Sequence, residues 1–196
     1  MGLFSISCQI HIINIQDFIN KKSVIHDIPT KKKFILSVGR LTRQKNFEYL
    51  INETNLFLKK NLDYDLLILG DGEDKEKLKN LINNLNLNDR VFLLGHIDNP
   101  YYFMKKASIF ILSSLWEEVG FVIVEAALSN LVIISSDCPN GPKEFLDNGY
   151  GGYLFKTNIK NSLNKILNDL NYNQFYDKRI LAKKSALKYT RFRHYI

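Results

Sequence analysis

Cysteine is scarce. Cys8 and Cys138 are the only two in 196 residues, which excludes the disulfide framework of small secreted domains and points to a reduced, cytoplasmic chain. The four histidines are scattered and, with those cysteines, form no metal-ligand spacing, so no metal is expected. No apolar run approaches the roughly 20 residues of a membrane-spanning helix. The start lacks the basic segment of a secretory signal, and Ile6 stands where a myristoylation signal needs Ser or Thr. Phosphate-loop and Gly-x-Gly-x-x-Gly fingerprints are also missing, as are zinc-finger and RNA-binding signatures.

What is present is a balance of 45% hydrophobic and 24% charged residues, which suits one globular domain with a real core. The net charge of +7 attracts anions in general: nucleotides, nucleic acid or acidic lipid headgroups. Much of it comes from short clusters such as Lys31, Lys32 and Lys33, or Lys183 and Lys184, without interleaved aromatics. No specific nucleic-acid partner is therefore expected.

Residues 1–30 are apolar but poorly punctuated and read as a lead-in, with short strands expected at 9–15 and 23–28. From there to residue 196 the pattern is regular. Buried-type runs at 34–38, 65–69, 91–94, 109–112, 131–134 and 153–155 alternate with helical patterns at 73–85, 100–107 and 122–129, and another helix starts near Asn46, which can cap it. Residues 158–196 predict two helices. The second is basic, and it either presents a solvated face or touches a membrane or partner. Strands alternating with helices predict an α/β fold, a doubly wound parallel sheet of Rossmann-like type. Such sheets bind ligands beyond the carboxyl ends of their strands, where strand order reverses.

The stretch 113–125 is the most informative. A strand runs into a polar loop and a helix start, with Glu117 and Glu125 on either side of Gly120 and Phe121. The first helical turn has N–H groups without intrahelical partners and a positive dipole end, so a phosphate can sit there. Gly120 lets an anion approach the main chain. A carboxylate accepts hydrogen bonds only, so Glu125 beside an anion suits the hydroxyls of a ribose or hexose. Helix-start carboxylates are also favourable through the dipole alone. Gly39 and Arg40 follow the first strand, with Lys45 in the same loop; a guanidinium fork and a point charge at one sheet edge can clamp a diphosphate. Gly95 and His96 follow the third strand and can offer backbone groups to a base. Asp63 and Asp65 precede a strand, at the amino edge, and receive no role. Pro142 suits a first helical turn, and Glu144 is a helix-start carboxylate.

Taken in order, Gly39, Arg40 and Lys45, then Gly70 to Gly72, 90–95, Ser113, Ser114, Glu117, Glu125 and Ala126, and 136–144 resemble the carboxyl-terminal half of retaining GT-B glycosyltransferases of family 4. The likeness covers about 33–155. It implies a single GT-B C-terminal-type domain over 31–196 that binds a nucleotide-diphosphate sugar and needs no cofactor. By the same match Arg40 and Lys45 hold the diphosphate, Glu117 meets the transferred sugar and Glu125 the ribose. The N–H groups near Gly120, Phe121 and Val122 complete the phosphate site. The family usually has Gly-Phe-Gly where this chain has Glu118, Val119 and Gly120.

Family members also carry an amino-terminal acceptor domain of similar size, for which 1–30 has no room. The expected function is thus the donor-binding half of a glycosyltransferase, moving a hexose to a glycan or lipid acceptor with retention. It would work with a separate acceptor-binding domain or chain, peripheral to the inner membrane face. The alternatives are a truncated, non-catalytic fragment or interaction module keeping the fold, and anion-surface binding through the basic face.

Overall fold

The computed structural model describes residues 27–117 and 120–189. The strand expected at 9–15 lies outside them, as do most of the one at 23–28, Cys8, Glu118, Val119 and residues 190–196. Six strands form one sheet: β1 (Lys33–Val38), β2 (Tyr64–Leu69), β3 (Val91–Leu93), β4 (Ile109–Leu112), β5 (Val132–Ser136) and β6 (Tyr153–Phe155). Their order is β3-β2-β1-β4-β5-β6, and every pairing is parallel. The doubly wound sheet expected from the sequence is the observed one.

Seven α-helices occur among the described residues: α1 (Phe47–Lys60), α2 (Lys75–Asn84), α3 (Tyr101–Met104), α4 (Phe121–Leu128), α5 (Pro142–Phe145), α6 (Ser162–Asn168) and α7 (Phe175–Ala186). Successive strand residues point to opposite faces, so the sheet has two cores. Ile35, Leu66, Ile68, Ile109 and Ile111 pack with Phe47, Leu50 and Ile51 of α1, Leu78 and Ile82 of α2, and Leu163 and Leu167 of α6. On the other face Phe34, Leu36, Leu67, Leu69 and Phe110 pack with Phe103 of α3, Ile123 and Val124 of α4, Phe145 of α5 and Ala182 of α7. Helices α1 and α4 therefore cover opposite faces. The strand order reverses between β1 and β4, and a crevice opens above their carboxyl ends.

Several expected boundaries move, each for a tertiary reason. Strand β5 runs on to Ser136 because Ser135 and Ser136 pair with Leu154 and Phe155 of β6. Helix α2 starts at Lys75 rather than residue 73, and the preceding Asp74 N–H is held by the Leu41 carbonyl at 2.9 Å. Asn46 does not cap α1 through its side chain. It sits in the left-handed region (φ 53°), and its amide donates to Asn158 Oδ1 at 3.0 Å. Pro142 takes the first helical position of α5, as expected.

Buried acids tie the layers together. Glu53 on α1 is buried and accepts the Asn161 and Asn164 N–H groups at 2.7 and 3.1 Å, so it caps α6 from another helix. Asp65, at the amino edge of β2, is a structural anchor: it accepts Arg90 Nε at 2.7 Å and the Thr30 hydroxyl at 2.5 Å.

Asp137 follows β5 and accepts Lys156 Nζ, Thr157 N–H and the Thr157 hydroxyl at 2.8, 2.9 and 3.0 Å. Burial raises its pKa, but those hydrogen bonds and the Lys156 charge outweigh that and hold it below the usual 3.8. The stabilisation is present above the unfolded value and lost as pH falls through the lower folded one. Asp137→Asn should flatten the loss of urea midpoint below about pH 4, as read by unfolding between pH 3 and 6. A slope equal to that of the parent would contradict this role.

Candidate functional site

Two loops meet above the β1/β4 crevice. The first, after β1, is fixed by its neighbour after β2: Gly39 N–H donates to Leu69 O, and Leu41 N–H to Asp71 O, both at 2.9 Å. This stacking needs glycine. A Cβ on Gly70 would lie 1.8 Å from the Gly39 carbonyl oxygen, and one on Gly72 would lie 2.4 Å from that of Leu41. Gly39 serves a different neighbour: its missing Cβ leaves room for the Lys45 stem, which would stand 3.1 Å away.

The second loop runs from Ser113 to Gly120 and is stitched to the first. Leu115 N–H donates to Gln44 O at 2.8 Å, the Gln44 amide to Trp116 O at 3.0 Å, and the Ser113 hydroxyl to Lys45 O at 2.7 Å. The Ser136 hydroxyl reaches Ser114 O at 2.6 Å from β5. Across the crevice, Lys45 Nζ meets Glu117 Oε1 at 2.6 Å, and the Ser114 hydroxyl donates to the same oxygen at 2.5 Å. Glu117 is 5% exposed, and these two contacts supply the partners that a buried carboxyl group needs. Gly120 (φ 58°) turns the chain into α4, a backbone region that glycine enters without strain.

The result is one cavity of about 820 Å³, a size usual for small-molecule sites. Of the residues expected from the sequence, Gly39, Arg40, Lys45, Glu117, Gly120, Phe121, Val122 and Glu125 all line it. His96 does not. It lines a second cavity of about 420 Å³ that shares Gly39 and Arg40 with the first, and its ring is exposed and paired with Asp98 at 3.0 Å. Gly95 lines neither, and its carbonyl accepts Gly70 N–H at 2.7 Å. Sequence reasoning missed Thr42, Gln44, Glu73 and Trp116 in the wall. Trp116 had a signal, as the chain's single tryptophan beside Glu117.

The wall carries Arg40 and Lys45 against Glu73, Glu117 and Glu125. Attraction for an anion is thus local, at the Arg40 side and at the start of α4, where the Phe121 and Val122 N–H groups lack intrahelical acceptors. The carboxylates suit hydroxyls. Cys138, buried beside this loop, is no nucleophile: burial raises its thiol pKa, as do the Glu117 and Asp137 charges, and the Ser136 hydroxyl and Lys45 only partly oppose them. Among the described residues no group of three or more His, Cys, Asp or Glu could hold a metal ion. No described helix is long and apolar enough to cross a membrane.

Residues 18–186 match the family described as Glycosyl transferases group 1. The chain belongs to that family. It is 36% identical over 164 residues to the N-acetylgalactosamine-N,N'-diacetylbacillosaminyl-diphospho-undecaprenol 4-alpha-N-acetylgalactosaminyltransferase of Campylobacter jejuni, covering 82% of this chain and 44% of that protein. It is 45% identical over 117 residues to an uncharacterized glycosyltransferase of Methanocaldococcus jannaschii, covering 59% of this chain and 29% of that protein. The chain thus spans less than half the length of these relatives. Its fold matches that of HepE from Anabaena, solved in complex with UDP, with a TM-score of 0.73 at 21% identity over 82% of this chain and 45% of that one. The C-terminal domain of a group 1 glycosyl transferase (LpcC) from Francisella tularensis matches with a TM-score of 0.72 at 20% identity, over 82% of this chain and 88% of that one.

The Lys45–Glu117 pair is nearly dry, with side-chain exposures of 16% and 5%. Glu117→Gln or Lys45→Met alone should each lower stability by about 2–4 kcal/mol by stranding the partner, and the double variant should recover part of that loss. Urea unfolding of all four proteins reads the coupling. Strictly additive losses would show that the two groups act independently.

Proposed function

We propose that this chain is the donor-binding half of a retaining GT-B glycosyltransferase of family 4, carrying a hexose from a nucleotide diphosphate to a glycan or lipid acceptor. The observation that carries the reading is the single cavity in which Arg40, Lys45, the α4 start, Glu117 and Glu125 converge. Arg40, Lys45 and the Phe121 and Val122 N–H groups take the diphosphate. Glu125 holds the ribose hydroxyls and Glu117 those of the hexose. The base extends into the adjoining cavity past Gly39 towards His96.

In the transfer, the bond between the anomeric carbon and the diphosphate oxygen breaks and its electron pair leaves with the phosphate. The acceptor hydroxyl oxygen bonds to that carbon on the face the phosphate leaves, and its proton is released. The protein's part is to stabilise charge developing on the diphosphate with preorganised cations and helix-start N–H groups. The Lys45 side chain, held on Glu117, is mostly buried in the same wall. Orienting the acceptor and excluding water are tasks for a second domain or chain facing this cavity. That the chain spans less than half of its relatives supports this division.

The Campylobacter relative's name specifies a diphospho-undecaprenol-linked substrate, which supports a lipid-linked glycan as acceptor and work at the inner membrane face. Exposed Tyr176, Ile180 and Leu187, with Lys183, Lys184 and Lys188, give α7 and the turn after it a surface suited to such peripheral contact.

Isothermal titration of the chain with UDP and GDP tests the reading. One of them should bind, and Arg40→Ala should weaken it about tenfold or more, as for a charge-assisted phosphate contact. Absence of heat with both nucleotides would overturn it.

A further inference from the structure

Trp116 is the only tryptophan in the chain, and 45% of its surface is exposed. Trp116 lines the larger cavity next to Glu117, and Phe121, also partly exposed, lies in the same wall. An indole with nearly half its surface in water forgoes much of the burial that makes tryptophan useful to a core. Yet its backbone is fixed: the Trp116 carbonyl accepts the Gln44 amide at 3.0 Å, and the flanking Leu115 and Glu117 N–H groups donate to Gln44 O at 2.8 Å and Pro139 O at 3.4 Å. The fold holds the backbone of Trp116 on both sides, at the cavity wall, and leaves nearly half of the residue exposed.

The chemistry of the wall says what would lie on it. A hexose ring has hydroxyls around its edge and C–H bonds on its faces. The edge needs acceptors, which Glu117 supplies, and a C–H face needs a flat, polarizable, apolar surface, which an indole supplies. A bare diphosphate has no such face. Resting on the donor-site reading above, we infer that Trp116 is the platform for the transferred sugar, a specificity-determining residue through which the site distinguishes a nucleotide sugar from its nucleotide diphosphate. It acts by binding and takes no part in bond making.

The single tryptophan makes the test direct. The full chain is titrated with UDP, GDP, UDP-glucose, UDP-N-acetylglucosamine and GDP-mannose, with heat and tryptophan emission both recorded. A nucleotide sugar that binds should change the emission more than its own diphosphate does. Trp116→Ala should weaken that nucleotide sugar about three- to tenfold, the worth of one aromatic contact, with the diphosphate affected by less than about twofold; Trp116→Phe should recover most of the loss. Circular dichroism of both variants checks that they fold. If sugar and diphosphate bind with the same emission change, and Trp116→Ala affects both alike, the inference is overturned while the donor site stands. If no probe gives heat, the donor-site reading falls and this inference falls with it.

Discussion

A parallel sheet wound outward in both directions must reverse its strand order somewhere, and here it does so between β1 and β4. The helices that follow these strands, α1 and α4, go to opposite faces, so neither covers the carboxyl ends of the two strands. Loop 39–46 and the loop from Ser113 to Gly120 are left facing each other across the gap. The rest of the site depends on this constraint. It brings Lys45 and Glu117, 72 residues apart in the chain, to 2.6 Å, and it sets the open start of α4 beside the Arg40 loop.

Two features turn the gap into a selective cavity. Missing side chains let loops stack: Gly70 and Gly72 allow the β2 loop to hold the β1 loop, and Gly39 seats the Lys45 stem. Charge is then distributed locally. The net charge of +7 concerns the whole surface, whereas the cavity wall has more acids than cations. On the proposed reading an anion would be held at defined points, with hydroxyls beside it. Such a wall is better matched to an activated sugar than to a general polyanion, which weighs against simple anion-surface binding.

Much of this was legible in the sequence because local signals agreed with the global fold. The apolar runs ending at Gly39, Gly70 and Gly95 read as buried strands, and their alternation with helical patterns fixed the sheet type. Glu117, Gly120 and Glu125 could be placed because strand, loop and helix start follow in fixed order. What escaped depends on contacts distant in sequence or on backbone conformation. Asn46 looks like a helix cap but adopts a left-handed conformation and binds Asn158. Glu53 has no local signal for its role, yet it caps α6. Ser135 and Ser136 gain their place in β5 by pairing with β6, and Ser135 also with Leu112 of β4. Gln44 enters the wall through a partner 72 residues away.

The central claim is that one rim of the sheet forms a single donor cradle. A heteronuclear NMR titration of the isotopically labelled chain with UDP or GDP tests it most directly. The claim predicts amide shifts concentrated at Gly39, Arg40 and Lys45 and at Gly120, Phe121 and Val122, from the two sides of the crevice at once. Shifts centred instead on Tyr150 and Lys178, which line a different cavity, or spread over the surface lysines, would contradict it.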